Sequence, residues 1–139
     1  MGIGPDLVTP PFGSRVLGVV VDIPADGGFV TVVALADGRT SMYTSVGGGT
    51  IGAGGHENVA AATSELITIA ERALAEFTLA GSTGFPDPGF TRIHVLELES
   101  SHMEDVPEDA FWGRAPHALL PVIGAIQAVI GALRTVDPA

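Results

Sequence analysis

The sequence predicts an α/β chain of the α+β type: a three-stranded antiparallel meander, a helix, a fourth strand and a C-terminal helix, in the order βββαβα. Three observations predict it. Three β-branched runs lie before residue 47, separated by short turn-forming segments. Apolar side chains recur at helical spacing through residues 56–80. The remainder opens on a second strand-like run and closes on an apolar stretch that follows a proline. The simplest assembly lays both helices on one face of a four-stranded sheet. At 139 residues the chain makes a single domain, 15–139, behind an extended arm, 1–14, that carries three Pro and three Gly without periodicity.

Each element has its own local signal. Residues 15–23 (RVLGVVVDI) form a β-branched run, ended by Pro24-Ala25-Asp26-Gly27-Gly28. A second run covers 29–36, and Asp37-Gly38 marks a hairpin into a third strand at 40–46. The helix over 56–80 turns Val59, Ala62, Leu66, Ile69, Ala70, Ala73, Leu74 and Phe77 inward, with Asn58 as N-cap and Glu57 complementing the dipole. Residues 81–89 are a Gly/Pro loop, 90–99 a fourth strand, and 100–114 an irregular acidic stretch. Pro116 suits the first turn of a last helix running to about residue 135.

Composition excludes several functions. Sixteen acidic residues face six basic ones, all Arg, for a net charge of −10. Nucleic acid is a poor partner for such a surface, and so is an anionic membrane. There is no Cys, so thiol catalysis, disulfides and cysteine zinc sites are out. The first residues lack the basic-then-apolar pattern of a secretory signal, and a cytoplasmic location is expected. Residues 115–133 contain no Asp, Glu, Lys or Arg, close to the length of a membrane span. His117, Pro121, Gln127 and the many Ala and Gly argue against one. A helix apolar all round is buried, and a chain this small has little of itself to surround one. The expected solution is a homo-oligomer, a dimer, through residues 116–135. Gly124, Ala128 and Ala132 would allow close approach, and Leu119, Ile123, Ile126 and Ile130 would fill the seam.

The leading site candidate is the stretch 47–55, with six glycines in nine residues between the third strand and the helix. Such a backbone adopts positive φ or approaches something closely, and a helix N-terminus presents unpaired N–H groups. Gly47-x-Gly49-x-x-Gly52 fits a dinucleotide fingerprint in letters but not in context, because it follows a meander strand instead of opening a βαβ unit. Tyr43, Ser45, Gly47, Gly48, Gly49, Gly52, His56 and Glu57 are therefore the candidate ligand-binding residues. His56, with Glu57, is the speculative acid/base.

Other clusters are weaker. His94, Glu97, Glu99, His102 and Glu104 include metal-ligating types, but alternation on a strand turns His94 away from Glu97 and Glu99. Glu97 and Glu99 would meet His102 after a turn, and an exposed acidic strand end accounts for them without a metal. Asp22, Glu65 and Asp105 or Asp109 resemble a ribonuclease-H-like carboxylate set in fold order alone, against which the missing basic surface stands. Phe111-Trp112 reads as the anchor of the last helix. No metal or cofactor is expected.

The run Asp37-Gly38, Ser41, Tyr43, Ser45, Gly47-Gly48-Gly49, Ile51-Gly52, Gly54, His56-Glu57 and Val59 resembles a stretch of small bacterial proteins with no assigned activity. Their pattern is DG-x-x-S-x-Y-x-S-x-GGG-x-I-G-x-G-x-HE-x-V. The resemblance implies that the glycine loop and His56-Glu57 belong to one motif. The functional expectation is a small soluble bacterial binding or interaction module. An enzyme on a small anionic substrate at the loop, or a structural subunit of a larger assembly, are the alternatives.

Overall fold

The computed structural model describes residues 16–25, 28–45, 49–50, 57–79, 86–97 and 100–134. Its strands are β1 (Val16–Ala25), β2 (Gly28–Leu35), β3 (Thr40–Thr44), β4 (Gly49–Thr50), β5 (Thr78–Leu79), β6 (Phe90–Glu97) and β7 (Ser101–Pro107). Its helices are α1 (Glu57–Arg72), α2 (Glu108–Phe111) and α3 (Leu120–Leu133). The chain is α+β, as predicted. The strands form one antiparallel sheet in the order β4-β3-β2-β1-β6-β7-β5, five long strands with a two-residue strand at each edge.

The meander forms where the sequence places it. Between β2 and β3, Gly38 takes φ +97°, and its N–H donates to the Leu35 carbonyl at 2.9 Å. That is the positive φ for which the Asp-Gly pair is chosen. β1 then pairs on its other side with β6, bringing together segments far apart in sequence.

Alternation sorts the side chains. Val19, Val21 and Ile23 of β1 share a face with Val32, Ala34, Ile93, Val95 and Val106, and all are buried in one cluster with α1 and α3. α1 is tied to the sheet at both ends. Thr63 and Thr40, both buried, share a hydrogen bond of 2.7 Å, and the Val16 N–H donates to Glu71 at 3.1 Å. Leu119, Ile123, Ile126 and Ile130 turn into this chain's own core, and Gly124, Ala128 and Gly131 lie on the exposed flank of α3. Among the described residues no helix is long and apolar enough to cross a membrane.

The βββαβα order needs correcting at four places. First, residues 101–107, read as irregular, are β7. Its outward and inward positions are both largely polar (Ser101, Met103, Asp105 against His102, Glu104, Val106), so it lacks the period-two signal of a strand. Second, the helix drawn over 56–80 stops at Arg72. A 3-10 turn at Leu74–Glu76 follows, then β5, because the chain must bury Phe77 and reach the free edge of β7. Asn58 is inside α1 and does not cap it. Third, α3 begins at Leu120, not 116. Pro121 occupies its first turn, and His117 Nδ1 accepts the Leu119 N–H at 3.0 Å just before it. Fourth, Gly49 and Thr50 form the edge strand β4.

Ile126 is fully buried where α3 meets the core. Ile126→Ala is expected to cost about 3 kcal/mol, with an unchanged denaturant slope, in urea unfolding followed by circular dichroism.

Candidate functional site

Two features stand apart from the ordinary core. The first is a row of polar side chains across the sheet face opposite α1 and α3. Register aligns Tyr43, Thr31, Asp22, Arg92 and Asp105 on five neighbouring strands. Asp22, 7% exposed, accepts the Thr31 hydroxyl at 2.7 Å through Oδ1 and meets His94 Nε2 at 3.1 Å through Oδ2. Arg92, 9% exposed, donates to both oxygens of Asp105, at 2.7 and 3.0 Å. The hydrogen bond to Asp105 raises the Arg92 pKa, while burial pulls the other way. This fork-to-fork pair holds a guanidinium that would otherwise be half stripped of water.

The row is a set of closed pairs. A carboxylate beside an imidazole is half of a hydrolytic triad, but Asp22 is the one hydrogen-bond partner shown for His94, and the Thr31 hydroxyl is engaged by Asp22. On the opposite face, Glu97 Oε2 meets His102 Nε2 at 2.6 Å, the contact expected across the β6–β7 turn. His94 and His102 thus sit on opposite faces, as alternation requires. Glu99 lies outside the described residues. Glu104 is half-buried on the face of His102. No three His, Asp or Glu among the described residues gather in metal-holding geometry. The ribonuclease-H-like set does not assemble either. Glu65 is exposed on α1, across the sheet from Asp22, while Asp105 and Asp109 are engaged by Arg92 and Arg114.

The second feature is a cleft of about 280 Å³ at the end of the sheet where β1 stops and β2 starts. Its floor is Ile23, Pro24 and Ala25 of β1, Val30 and Val32 of β2, and Met42 of β3. Trp112, Ile130 and Arg134 close it from the helical side. It arises because α1 crosses the other end of the sheet, where Thr63 meets Thr40 and Glu71 meets Val16. Among the described residues, the last turn of α3, Arg134 and the residue after α2 reach this corner. Phe111 holds that corner in place. It is fully buried, its carbonyl accepts Gln127 Nε2 from α3 at 2.9 Å, and its ring meets Trp112 edge-on at 5.0 Å. Phe111 is the anchor foreseen from sequence, whereas the Trp112 side chain is 41% exposed at the cleft.

The sequence-predicted site is brought together only in part. Gly47, Gly48, Gly52 and His56 lie outside the described residues. Tyr43 is exposed and pairs with Gly49 in β4, on the opposite face from Met42 and the cleft. The Ser45 hydroxyl accepts the Phe29 N–H at 2.9 Å, and the Ser45 N–H donates to the Phe29 carbonyl at 2.9 Å. Ser45 therefore secures the strand end from which the glycine stretch departs. Glu57 is exposed in the first turn of α1. The cleft itself had no sequence signal, because its walls come from five separate segments.

No protein-family model, curated protein or solved structure matches this chain.

The Arg92–Asp105 pair yields a test of the row. Asp105→Ala removes the carboxylate paired with the buried guanidinium and is expected to cost about 2 kcal/mol in urea unfolding. The double variant Arg92→Met, Asp105→Leu is expected to recover most of that loss.

Proposed function

We propose that this chain is a binding module rather than a catalyst, and that it takes a small apolar ligand in the cleft between the β1–β3 strand ends and α3. One observation carries the reading. Among the described residues lining the cleft there is no carboxylate, imidazole, hydroxyl or thiol, and Arg134 is the single charged group. Such walls gain from burying apolar surface and have nothing to move a proton or attack a bond. The described acid and imidazole groups that do form pairs are elsewhere, tied to each other within the sheet.

Ser45, two residues before the glycine-rich stretch, is bonded to Phe29, the neighbour of the cleft-lining Val30. The motif that resembles a stretch of small bacterial proteins includes Tyr43 and Ser45 at this strand end and Glu57 in the first turn of α1. An ordered strand end keeps the cleft floor preformed, which lowers the entropic cost of binding.

Trp112 is the only tryptophan in the chain and lines the cleft, so its emission reports occupancy. Titration with 1-octanol is expected to shift that emission saturably, with a dissociation constant on the order of 0.1–1 mM. Val30→Phe, which fills the floor, is expected to remove the response while leaving the melting temperature nearly unchanged. A linear, unsaturable response in the parent protein would refute the cleft as a site.

A second reading concerns self-association. α3 presents Leu120, Gly124, Ala128 and Gly131 on its exposed flank, and Leu120 is 42% exposed. A dimer through residues 116–135 would use this small-residue flank, not the large apolar residues expected from the sequence. Sedimentation velocity on the parent chain and on Ala128→Arg is the check, with a dimer expected to become a monomer in the variant.

A further inference from the structure

The cleft's single charge bears on what it binds, and the inference rests on the reading of that cleft as a ligand site. Acidic residues outnumber basic ones sixteen to six in this chain. Three of the five described arginines have a carboxylate partner among the described residues. Arg39 is held by Asp37 at 2.7 Å, Arg92 by Asp105 at 2.7 Å and Arg114 by Asp109 at 3.2 Å. Arg134, one residue beyond α3, has no carboxylate partner among the described residues, and it lines the cleft. The remaining walls are aliphatic, with the exposed face of Trp112 beside them. A guanidinium at the margin of an apolar cavity is matched by a planar anion on an apolar body.

From this we infer that the ligand class is a medium-chain monocarboxylate, its apolar body in the cleft and its carboxylate on Arg134. Size agrees with this. At about 280 Å³ the cleft lies at the small end of small-molecule sites, which run from roughly 300 to 1,000 Å³. A straight-chain acid of eight carbons is a correspondingly small ligand. The protein's overall negative charge does not forbid the pairing. At physiological salt, charges beyond about 8 Å are largely screened, so the adjacent guanidinium dominates. The last turn of α3 contributes its own negative end, which favours keeping a cation at residue 134 whether or not a ligand is present. A purely structural Arg134 would therefore affect stability and leave ligand preference unchanged, and this difference makes the assignment testable.

The experiment is a Trp112 fluorescence titration with three probes of equal chain length: octanoate, 1-octanol and octylammonium. In the parent protein octanoate is expected to bind at least tenfold more tightly than 1-octanol, and octylammonium more weakly than either. In Arg134→Gln octanoate is expected to fall to the level of 1-octanol, with 1-octanol itself unaffected. Arg134→Lys is expected to keep a partial preference for the acid, because the charge remains without the planar fork. Circular dichroism melts confirm that each variant is folded. Equal binding of the three probes, or octanoate binding that survives Arg134→Gln at full strength, overturns the carboxylate assignment and leaves the cleft standing. Absence of binding by all three overturns both readings.

Discussion

The two-sided pairing of β1 is the constraint on which the rest depends. Its residues from Gly18 to Ala25 face β2 from Leu35 back to Gly28, and those from Val16 to Asp22 face β6 from Glu97 back to Arg92. Among the described strands, this is where the N-terminal meander pairs with the later β6–β7 hairpin. A slip of one residue would turn Asp22 into the apolar layer and Val19 and Val21 out of it. Burying that carboxylate away from Thr31 and His94 would be prohibitive, so the register is fixed from both faces at once. Gly18 sharpens the fix. A Cβ there would lie 2.9 Å from Leu35 Cδ2 and 3.2 Å from the Ala34 carbonyl, beside the register shift between Val16 and Gly18.

The helices inherit their positions from this sheet. α1 is pinned over one end by Thr40 and Val16, and α3 packs beside it with its large apolar residues inward. A two-helix layer so anchored does not extend evenly to the other end, where β1 stops at Ala25 and β3 at Thr44. There the cover consists of Ile130, Arg134 and Trp112, and the cleft lies between them and the strand ends. The cleft is thus a consequence of where α1 is held, and Phe111, clamped by Gln127, sets how far the corner stays open.

How much of this was legible in the sequence follows from the range of each signal. β1, β2, β3 and β6 were legible because a buried face every second residue is written in consecutive letters. Their partners were legible only where a short turn joined them, and so the β1–β6 pairing had no local trace. β7 was hidden by its own chemistry, since Asp105 serves Arg92 on one face and His102 serves Glu97 on the other. α3 was found as a helix, and its large apolar residues were assigned to a seam with a second copy. Its lack of charge suggested a second copy, whereas α1 and the sheet bury Leu119, Ile123, Ile126 and Ile130. Of the residues proposed around the glycine stretch, Ser45 stands at the strand end before it, and Gly47, Gly48, Gly52 and His56 lie outside the described residues. The cleft walls converge from β1, β2, β3 and the flanks of α2 and α3, and no motif spans such a distance.

The paired polar groups and the cleft are set apart in this fold. A catalytic site needs titratable groups left open toward a substrate, with burial and neighbours tuning them. Here the buried Asp22 is paired with the half-buried His94, and His102 Nε2 with Glu97, within the sheet, while His102 Nδ1 is buried without a hydrogen-bond partner among the described residues. The cleft is apolar and carries a lone guanidinium. Separation of this kind leaves the cleft with the two properties that recognition requires: apolar area to bury, and one directional charge to orient what is buried.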